Sequence, residues 1–102
     1  MAAKKRRKEK FTPYDTADYL KSREDMAAYL EACLEEGRDD PAFIADAIGV
    51  IARAHGMMKL ARATGLTREG LYKALSINGN PSLATALKVL NALGIRLVPK
   101  VA

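Results

Sequence analysis

Residues 57–76 contain two short helical patterns that meet at a glycine. The patterns cover about residues 58–63 and 68–76. Gly65 lies where a tight turn between them requires a positive φ, which costs a residue with a Cβ more than it costs glycine. Thr67 is a suitable N-cap for the second helix, because its side-chain oxygen can accept a free backbone N–H. These signals predict a helix-turn-helix, in which two helices cross at about 90–120°.

Apolar residues in this segment are spaced to hold the two helices together. They are Leu60, Leu66, Leu71 and Leu75. Ala61 is small at the point where the second helix is expected to pass closely over the first. With Leu71, Ala74 and Leu75 turned inward, the second helix presents a polar outer face.

That outer face carries side chains that suit DNA. The N-terminal part of such a helix points at base edges in the major groove. Arg68 suits guanine and Glu69 suits the amino group of cytosine; Tyr72 suits a thymine methyl group or a phosphate. Lysine and asparagine side chains nearby suit phosphates, which fix register without reading sequence. The candidate DNA-binding residues are Lys59, Thr67, Arg68, Glu69, Tyr72, Lys73, Ser76, Asn78 and Asn80. Two alternatives stay open: Thr67 serves only as a cap, and Glu69 repels phosphate.

Capping signals predict three further long helices. Ser22 with Asp25 approximates a capping box at the start of the first. Asp40 followed by Pro41 starts the second, and Ser82 starts the last. Apolar residues at helical spacing predict their inner faces. These residues are Met26, Leu30, Cys33 and Leu34 in the first helix, Ile44, Ala47, Ile48 and Ile51 in the second, and Leu83, Leu87 and Leu90 in the last.

Smaller signals predict the ends of these elements. Gly37 is expected to end the first helix in the left-handed conformation. His55 lies in the last turn of the second helix, where an imidazolium would meet the negative helix end favourably, and a structural role is expected for it. Residues 95–99 alternate apolar and polar side chains, which predicts a short C-terminal strand.

Charge divides the chain into three segments. Residues 1–10 carry six basic residues and one acidic residue, and without apolar anchors they are expected to form a disordered basic tail. Residues 11–56 carry four basic and ten acidic residues, whereas residues 57–102 carry seven basic residues and one acidic residue. A basic segment attracts phosphate, while an acidic one repels DNA and suits a basic protein. The expected organisation is one helical domain, residues 11–102, with an acidic half (11–56) and a helix-turn-helix half (57–102).

The composition of the 102-residue chain argues against several other classes. Cys33 is the only cysteine, which excludes an internal disulfide and suits a reducing cytoplasm. One cysteine and one histidine leave no soft-metal cluster, and no cofactor is expected. No apolar run approaches the roughly 20 residues that span a bilayer. An enzyme is not expected, because no carboxylate pair, activated nucleophile or phosphate-cradling glycine loop is evident.

Three short runs, Leu60-Ala61, Gly65-Leu66-Thr67 and Asn80-Pro81-Ser82, make this chain resemble the Cro/CI-type helix-turn-helix proteins of the Xre family. More specifically, it resembles the HigA-like addiction-module antidote proteins, which are antitoxins of bacterial toxin–antitoxin pairs. The resemblance extends from about Tyr14 to Val98 and is most distinctive over residues 64–75. It implies an all-α fold of five helices. The polybasic residues 1–10 are not a feature of that family, so their role stays open.

The resemblance also implies a function. Such a protein neutralises a RelE/ParE-like toxin encoded by the adjacent gene and represses the shared operon as a homodimer on palindromic operator DNA. Because such toxins are basic, the candidate toxin-binding residues are the acids Glu31, Glu35 and Glu36. Two roles stay open for residues 95–98: pairing with the same residues of a second copy across a two-fold axis, or adding to a β-sheet of the toxin. Two alternatives stay open: a stand-alone Xre-family repressor, chromosomal or phage-derived, without a toxin, and a protein-interaction module that does not bind DNA.

Overall fold

A computed structural model of the chain describes the backbone of residues 13–102 and the side chains of residues 16–102. This range contains six α-helices and no strand. The helices are α1 (Pro13–Asp18), α2 (Arg23–Glu36), α3 (Pro41–His55), α4 (Met57–Thr64), α5 (Arg68–Ala74) and α6 (Leu83–Leu93). The prediction of an all-helical fold is therefore confirmed for these residues, with α1 as a helix beyond the five expected. The predicted tail, residues 1–10, lies outside the described range.

The predicted N-caps are present. The backbone N–H of Asp25 donates to Ser22 Oγ at 3.1 Å, and that of Phe43 donates to Asp40 Oδ1 at 3.2 Å. The third cap has the same geometry, with the N–H of Thr85 donating to Ser82 Oγ at 3.0 Å. These bonds satisfy backbone donors that a helix cannot satisfy internally. Local side-chain chemistry therefore determines where α2, α3 and α6 begin.

Helix α3 lies at the centre of the fold and contacts each of the other five helices. Its sequence explains this position, because residues 47–52 are all buried and none of them is charged. The buried surface is wider than the predicted stripe: Val50 is buried, while Ile44 is only partly buried. A helix that is apolar on most of its surface must be covered on most of its sides. The core cluster around it comprises Met26, Leu30, Ile48, Ile51, Ala52, Met57, Leu60, Leu71, Leu75, Val89, Leu90, Leu93 and Ile95.

The closest approach of α3 to another helix occurs at Gly49. A Cβ at this position would collide with the backbone carbonyl oxygen of Leu75 and would lie 3.1 Å from its carbonyl carbon. Leu75 is the C-cap of α5 and is fully buried. The missing side chain of Gly49 therefore lets the end of α5 lie directly on the central helix.

The leucine stripe of α6 matches its buried face only in part. Leu90 is buried as predicted, together with Val89 and Leu93, whereas Leu83 is 74% exposed and Leu87 is 46% exposed. Both the predicted set and the buried set of apolar residues fit a period of 3.6, so spacing alone could not choose between them. The contacts of α6 with α3 and α4 select the buried set and leave two leucines exposed, one turn apart.

Two further expectations about element ends were wrong. Gly37 has a φ of −121°, which is not left-handed. It is glycine for a steric reason, since a Cβ there would overlap the ring of Phe43, with Cε2 only 2.9 Å away. The predicted strand over residues 95–99 is also absent, because no strand in residues 13–102 is available to pair with it. Instead, the N–H of Ile95 donates to the carbonyl of Leu90 at 2.9 Å, and the following residues run beside α2.

Within the described residues, no helix is both long and apolar enough to cross a membrane. The same part of the chain contains no group of three or more histidine, cysteine or acidic side chains that could hold a metal ion. Cys33 is buried, as its position on the apolar stripe of α2 predicts. Its thiol is hydrogen-bonded to Tyr29 one turn earlier, and burial beside this thiol raises the pKa of the Tyr29 phenol.

We expect the substitution Gly49→Ala to destabilise the protein by about 1–3 kcal/mol, because the added methyl group forces α5 away from α3. Helix propensity alone would favour alanine by up to about 1 kcal/mol. The measurement is the free energy of unfolding in urea. Ala28→Gly, at an exposed position in α2, measures the difference in helix propensity between alanine and glycine without a change in core packing. A Gly49→Ala variant that is more stable than the wild type would contradict the close contact.

Candidate nucleic-acid and protein interfaces

Three residues fix the turn between α4 and α5. Gly65 has a φ of +77°, as predicted from its place in the sequence. The Thr64 hydroxyl donates to the carbonyl of Leu60 at 2.8 Å and accepts the N–H of Leu66 at 3.3 Å. Thr67 caps α5 by accepting the N–H of Gly70 at 2.9 Å. The angle between the two helices therefore depends on local hydrogen bonds as well as on the apolar contacts beneath them.

Helix α5 has one buried side and one exposed side. Leu71 is buried, as is Leu75 just after the helix. Arg68 and Glu69, in the first turn, are exposed, and Tyr72 is 42% exposed. The carboxylate of Glu69 is well placed for the positive end of the helix, so its position has a structural explanation besides any contact with DNA. The exposed side of α5 is nevertheless free to meet another molecule.

One flank of α5 brings together three of the predicted phosphate-binding residues. Lys73, Asn78 and Asn80 line one open cavity of about 290 Å³ together with Gly70. The loop after α5 folds back tightly, since a Cβ at Gly79 would collide with the carbonyl oxygens of the last turn of the helix. We call this the Lys73 cavity. Its hydrogen-bond donors come from α5, which carries Lys73, and from the following loop, which carries Asn78 and Asn80. The tight turn at Gly79 holds the helix and the loop together.

Ser76 does not lie on the exposed side of α5. The helix ends at Ala74, two residues earlier than predicted, and Ser76 is partly buried. Its hydroxyl donates to the carbonyl of Lys73 at 3.1 Å. Ser76 and Thr67 thus share a structural role, because the side chain of each satisfies a backbone group at one end of α5.

Lys59 lies apart from α5, at the junction of α3 and α4. A Cβ at Gly56 would lie 3.1 Å from Lys59 Cε, which places this side chain over the junction. His55 lies beside it. Burial lowers the pKa of His55, and the nearby positive charges of Lys59 and Arg23 lower it further. The lowered pKa disfavours the imidazolium, which is the opposite of the favourable charge expected at the end of α3.

The other flank of α5 adds residues that the sequence analysis missed. An open cavity of about 420 Å³ is lined by Lys21, Arg53 and Tyr72, and also by Asp18. We call this the Tyr72 cavity. Lys21 and Arg53 belong to the acidic half of the sequence, so no local signal connects them with α5. Only the packing of α1, α3 and α5 brings them together.

Helices α2 and α3 form an antiparallel hairpin with one acidic end and one end of mixed charge. A four-residue connection, 37–40, joins them, and Arg23 at the start of α2 acts on His55 at the end of α3. The end near α5 therefore carries basic side chains together with the acids of the first turn of α2, Glu24 and Asp25. At the other end acidic side chains predominate, where Glu35, Glu36, Asp39 and Asp40 line one cavity together with Arg38.

The acidic end continues into an apolar groove. Glu31 and Glu35 line a groove of about 680 Å³ between α2 and residues 95–100, with Leu30 and Leu34 on its α2 side. On the opposite side, Leu97 is 51% exposed and Val98 is 72% exposed. Glu36 lies on the neighbouring acidic cavity instead. We call the groove between α2 and residues 95–100 the acidic groove. It combines exposed apolar side chains with two carboxylates on its α2 side, and the basic residues Arg96 and Lys100 line its other side.

Comparisons with known proteins agree with the antidote resemblance at the level of the family. Residues 10–101 match the model of a family described as "Probable addiction module antidote protein". An uncharacterised protein of Haemophilus influenzae is 46% identical over 88 residues, which cover 86% of this chain and 89% of that relative. No solved structure matches the chain.

The lowered pKa of His55 predicts a pH-dependent stability. A histidine that binds protons more weakly in the folded state stabilises the fold fully above its unfolded pKa of about 6.5. As the pH falls below that value, the unfolded state takes up the proton first and stability is lost. Urea unfolding at pH 8 and at pH 5.5 measures the change, and His55→Gln should reduce it. If His55→Gln loses as much stability between pH 8 and pH 5.5 as the wild type, other titratable groups cause the pH dependence.

Proposed function

Because the chain belongs to the family of probable addiction module antidote proteins, we propose that it is the antitoxin of a type II toxin–antitoxin module. It neutralises a RelE/ParE-like toxin encoded by the adjacent gene and represses their operon by binding operator DNA. On this proposal, residues 57–102 are the DNA-binding half of a Cro/CI-type, HigA-like fold, and residues 11–56 contain the toxin-facing surface. The observation that carries the DNA-binding part is the exposed side of α5, flanked by basic cavities.

The proposed contact places α5 in the major groove. Its first turn carries Arg68, whose guanidinium suits guanine, and Glu69, which suits the amino group of cytosine. Both side chains are exposed, while Leu71 anchors the helix to the core. Because the contact residues lie on a short helix held by buried leucines and by two capped ends, α5 needs little rearrangement to bind.

Phosphates are proposed to bind on the flank of α5. The Lys73 cavity presents an ammonium group and two amide side chains, all suited to phosphate oxygens. Lys59, at the start of α4, is a further proposed phosphate contact. Thr67 and Ser76 act through the shape of α5 rather than by touching DNA, since their hydroxyls bond to backbone groups.

The proposed repressor is a homodimer. One seven-residue helix reaches few base pairs, and specific recognition by helix-turn-helix proteins uses two half-sites about one helical turn apart. Each copy places one α5 in a major groove, so the operator is expected to be palindromic. A duplex with a single half-site should therefore bind much more weakly than the full operator.

The first test is a titration of the protein with a labelled duplex from immediately upstream of its own gene, and with a shuffled duplex of the same composition. We expect the wild type to prefer the upstream duplex. Arg68→Ala should cost about 1–3 kcal/mol of binding to that duplex and should reduce the preference, because it removes a base contact. Fluorescence anisotropy at fixed salt measures both affinities.

Arg96→Ala is the matched control, since Arg96 is an exposed arginine outside the helix pair. Arg96→Ala should change the affinities for the upstream duplex and for the shuffled duplex by similar small factors. A wild-type protein that binds both duplexes equally would contradict operator recognition. So would an Arg68→Ala variant that behaves like the control.

Toxin binding is proposed at the acidic groove. Its carboxylates, Glu31 and Glu35, complement a basic protein and speed its association. Its exposed apolar residues supply the surface that a stable complex buries. Glu36 extends the negative charge along the same end of the molecule. The apolar and acidic parts of the groove therefore point to one kind of partner, a basic protein with an exposed apolar patch.

The second test measures the affinity of the purified antitoxin for the protein encoded by the adjacent gene, in the absence of DNA. The double substitution Glu31→Lys with Glu35→Lys should weaken binding by at least about tenfold, mainly through slower association. It replaces both carboxylates of the groove with basic side chains, which then repel a basic partner together with Arg96 and Lys100. Surface plasmon resonance at two salt concentrations separates the association and dissociation rates.

Glu69→Lys combined with Glu24→Lys is the control for the change in net charge, because it changes the net charge by the same amount and both acids are exposed and lie outside the groove. It should leave the affinity for the toxin nearly unchanged. Equal effects of the groove variant and the control would remove the toxin-binding assignment. Failure of the two wild-type proteins to co-purify after co-expression would favour a repressor that acts without a toxin.

A further inference from the structure

The Tyr72 cavity is the feature that the sequence patterns did not connect with DNA. Two basic side chains, Lys21 and Arg53, and the phenol of Tyr72 line it, and they come from three separate parts of the chain. Lys21 precedes α2, Arg53 lies in the last turn of α3, and Tyr72 lies on α5. Such a convergence of donors from distant segments is unlike the solvated charged face of a single helix.

The charges of the cavity favour an anion. Among the described residues that line the cavity, Lys21 and Arg53 carry two positive charges and Asp18 carries one negative charge. Lys21 is exposed and Arg53 is partly buried. A partly buried guanidinium interacts with an anion at lower effective dielectric than a fully solvated group. The Tyr72 hydroxyl adds a neutral donor beside the two cations.

The position of the cavity identifies the anion. It lies on one flank of α5 and the Lys73 cavity lies on the other. At 3.6 residues per turn, Tyr72 lies to one side of the buried Leu71, whereas Gly70 and Ala74, which line the Lys73 cavity, lie to its other side. A helix inserted in the major groove has a phosphate backbone on each side. Two cavities rich in donors on opposite flanks of one exposed helix match that arrangement.

We propose that the Tyr72 cavity binds a phosphodiester group of duplex DNA, with Lys21 and Arg53 contacting the phosphate and the Tyr72 hydroxyl donating to one of its oxygens. The inference rests on the proposed DNA binding and extends it, because it adds to the interface two residues from the acidic half of the chain. Contacts of this kind fix the register of α5 and carry no base preference.

Lys21→Ala is the test variant. Lys21 is exposed, and the hydrogen bond that it contributes to the fold uses its backbone N–H, which donates to Asp25 at 3.0 Å and survives the substitution. Stability should therefore be unchanged, which thermal unfolding checks. Lys100→Ala is the matched control, because Lys100 is an exposed lysine on the acidic groove. Lys21→Arg restores the charge.

The measurement is the affinity for the upstream duplex and for the shuffled duplex over a range of salt concentrations. Loss of one phosphate contact should reduce the slope of log K against log salt by about 1. At about 0.1 M salt this corresponds to roughly tenfold weaker binding. We expect Lys21→Ala to show this loss by the same factor on both duplexes. Lys100→Ala and Lys21→Arg should keep the wild-type slope. The basic residues 1–10 are identical in all variants, so any contribution they make to the slope is the same in each.

Three results would overturn the proposal. One is a Lys21→Ala slope equal to that of Lys100→Ala, and another is a loss confined to the upstream duplex. The third is a wild-type protein that binds neither duplex, which also contradicts the proposed function. If the wild type binds both duplexes equally and Lys21→Ala still lowers the slope, operator recognition fails while the phosphate site stands.

Discussion

The contact between Gly49 and the backbone of Leu75 is the constraint on which the proposed interface depends. It lets the end of α5 rest directly on the central helix, with no side chain between them. The loop after Leu75 then folds back on α5 through Gly79, and both cavities beside α5 are lined in part by residues of the helix that the Gly49 contact positions. Packing at a buried glycine therefore determines the geometry of an exposed surface about one helix diameter away.

Local sequence signals predicted the parts of this structure that local chemistry determines. Ser22, Asp40 and Ser82 cap their helices as expected, and Gly65 has the predicted positive φ. These features depend on residues at most three positions away, which a sequence displays directly. The same holds for the burial of Leu71 and Leu75, because a short capped helix has only one apolar side.

Features that depend on the choice of a packing partner were not predictable in this way. Leu83 and Leu87 fit a helical stripe as well as the residues that are actually buried, and only the neighbours of α6 decide between them. The position of Gly37 at the end of a helix predicts a left-handed cap, but this residue is glycine because Phe43 lies against it. Counting charges along the chain places Lys21 and Arg53 in an acidic segment, although the fold brings both into the candidate interface. Their place beside Tyr72 follows from the antiparallel path of α2 and α3.

That antiparallel hairpin has a consequence for how the two surfaces influence each other. Helix α3 has 15 residues, so the two ends of the hairpin lie about 22 Å apart. At physiological ionic strength the screening length is about 8 Å, and a charge at one end is hardly felt at the other. On the proposed function, DNA at α5 and a basic toxin at the acidic end each meet an electrostatic field that the other hardly alters. At about 0.01 M salt the screening length grows to about 30 Å, and the two surfaces become one electrostatic system.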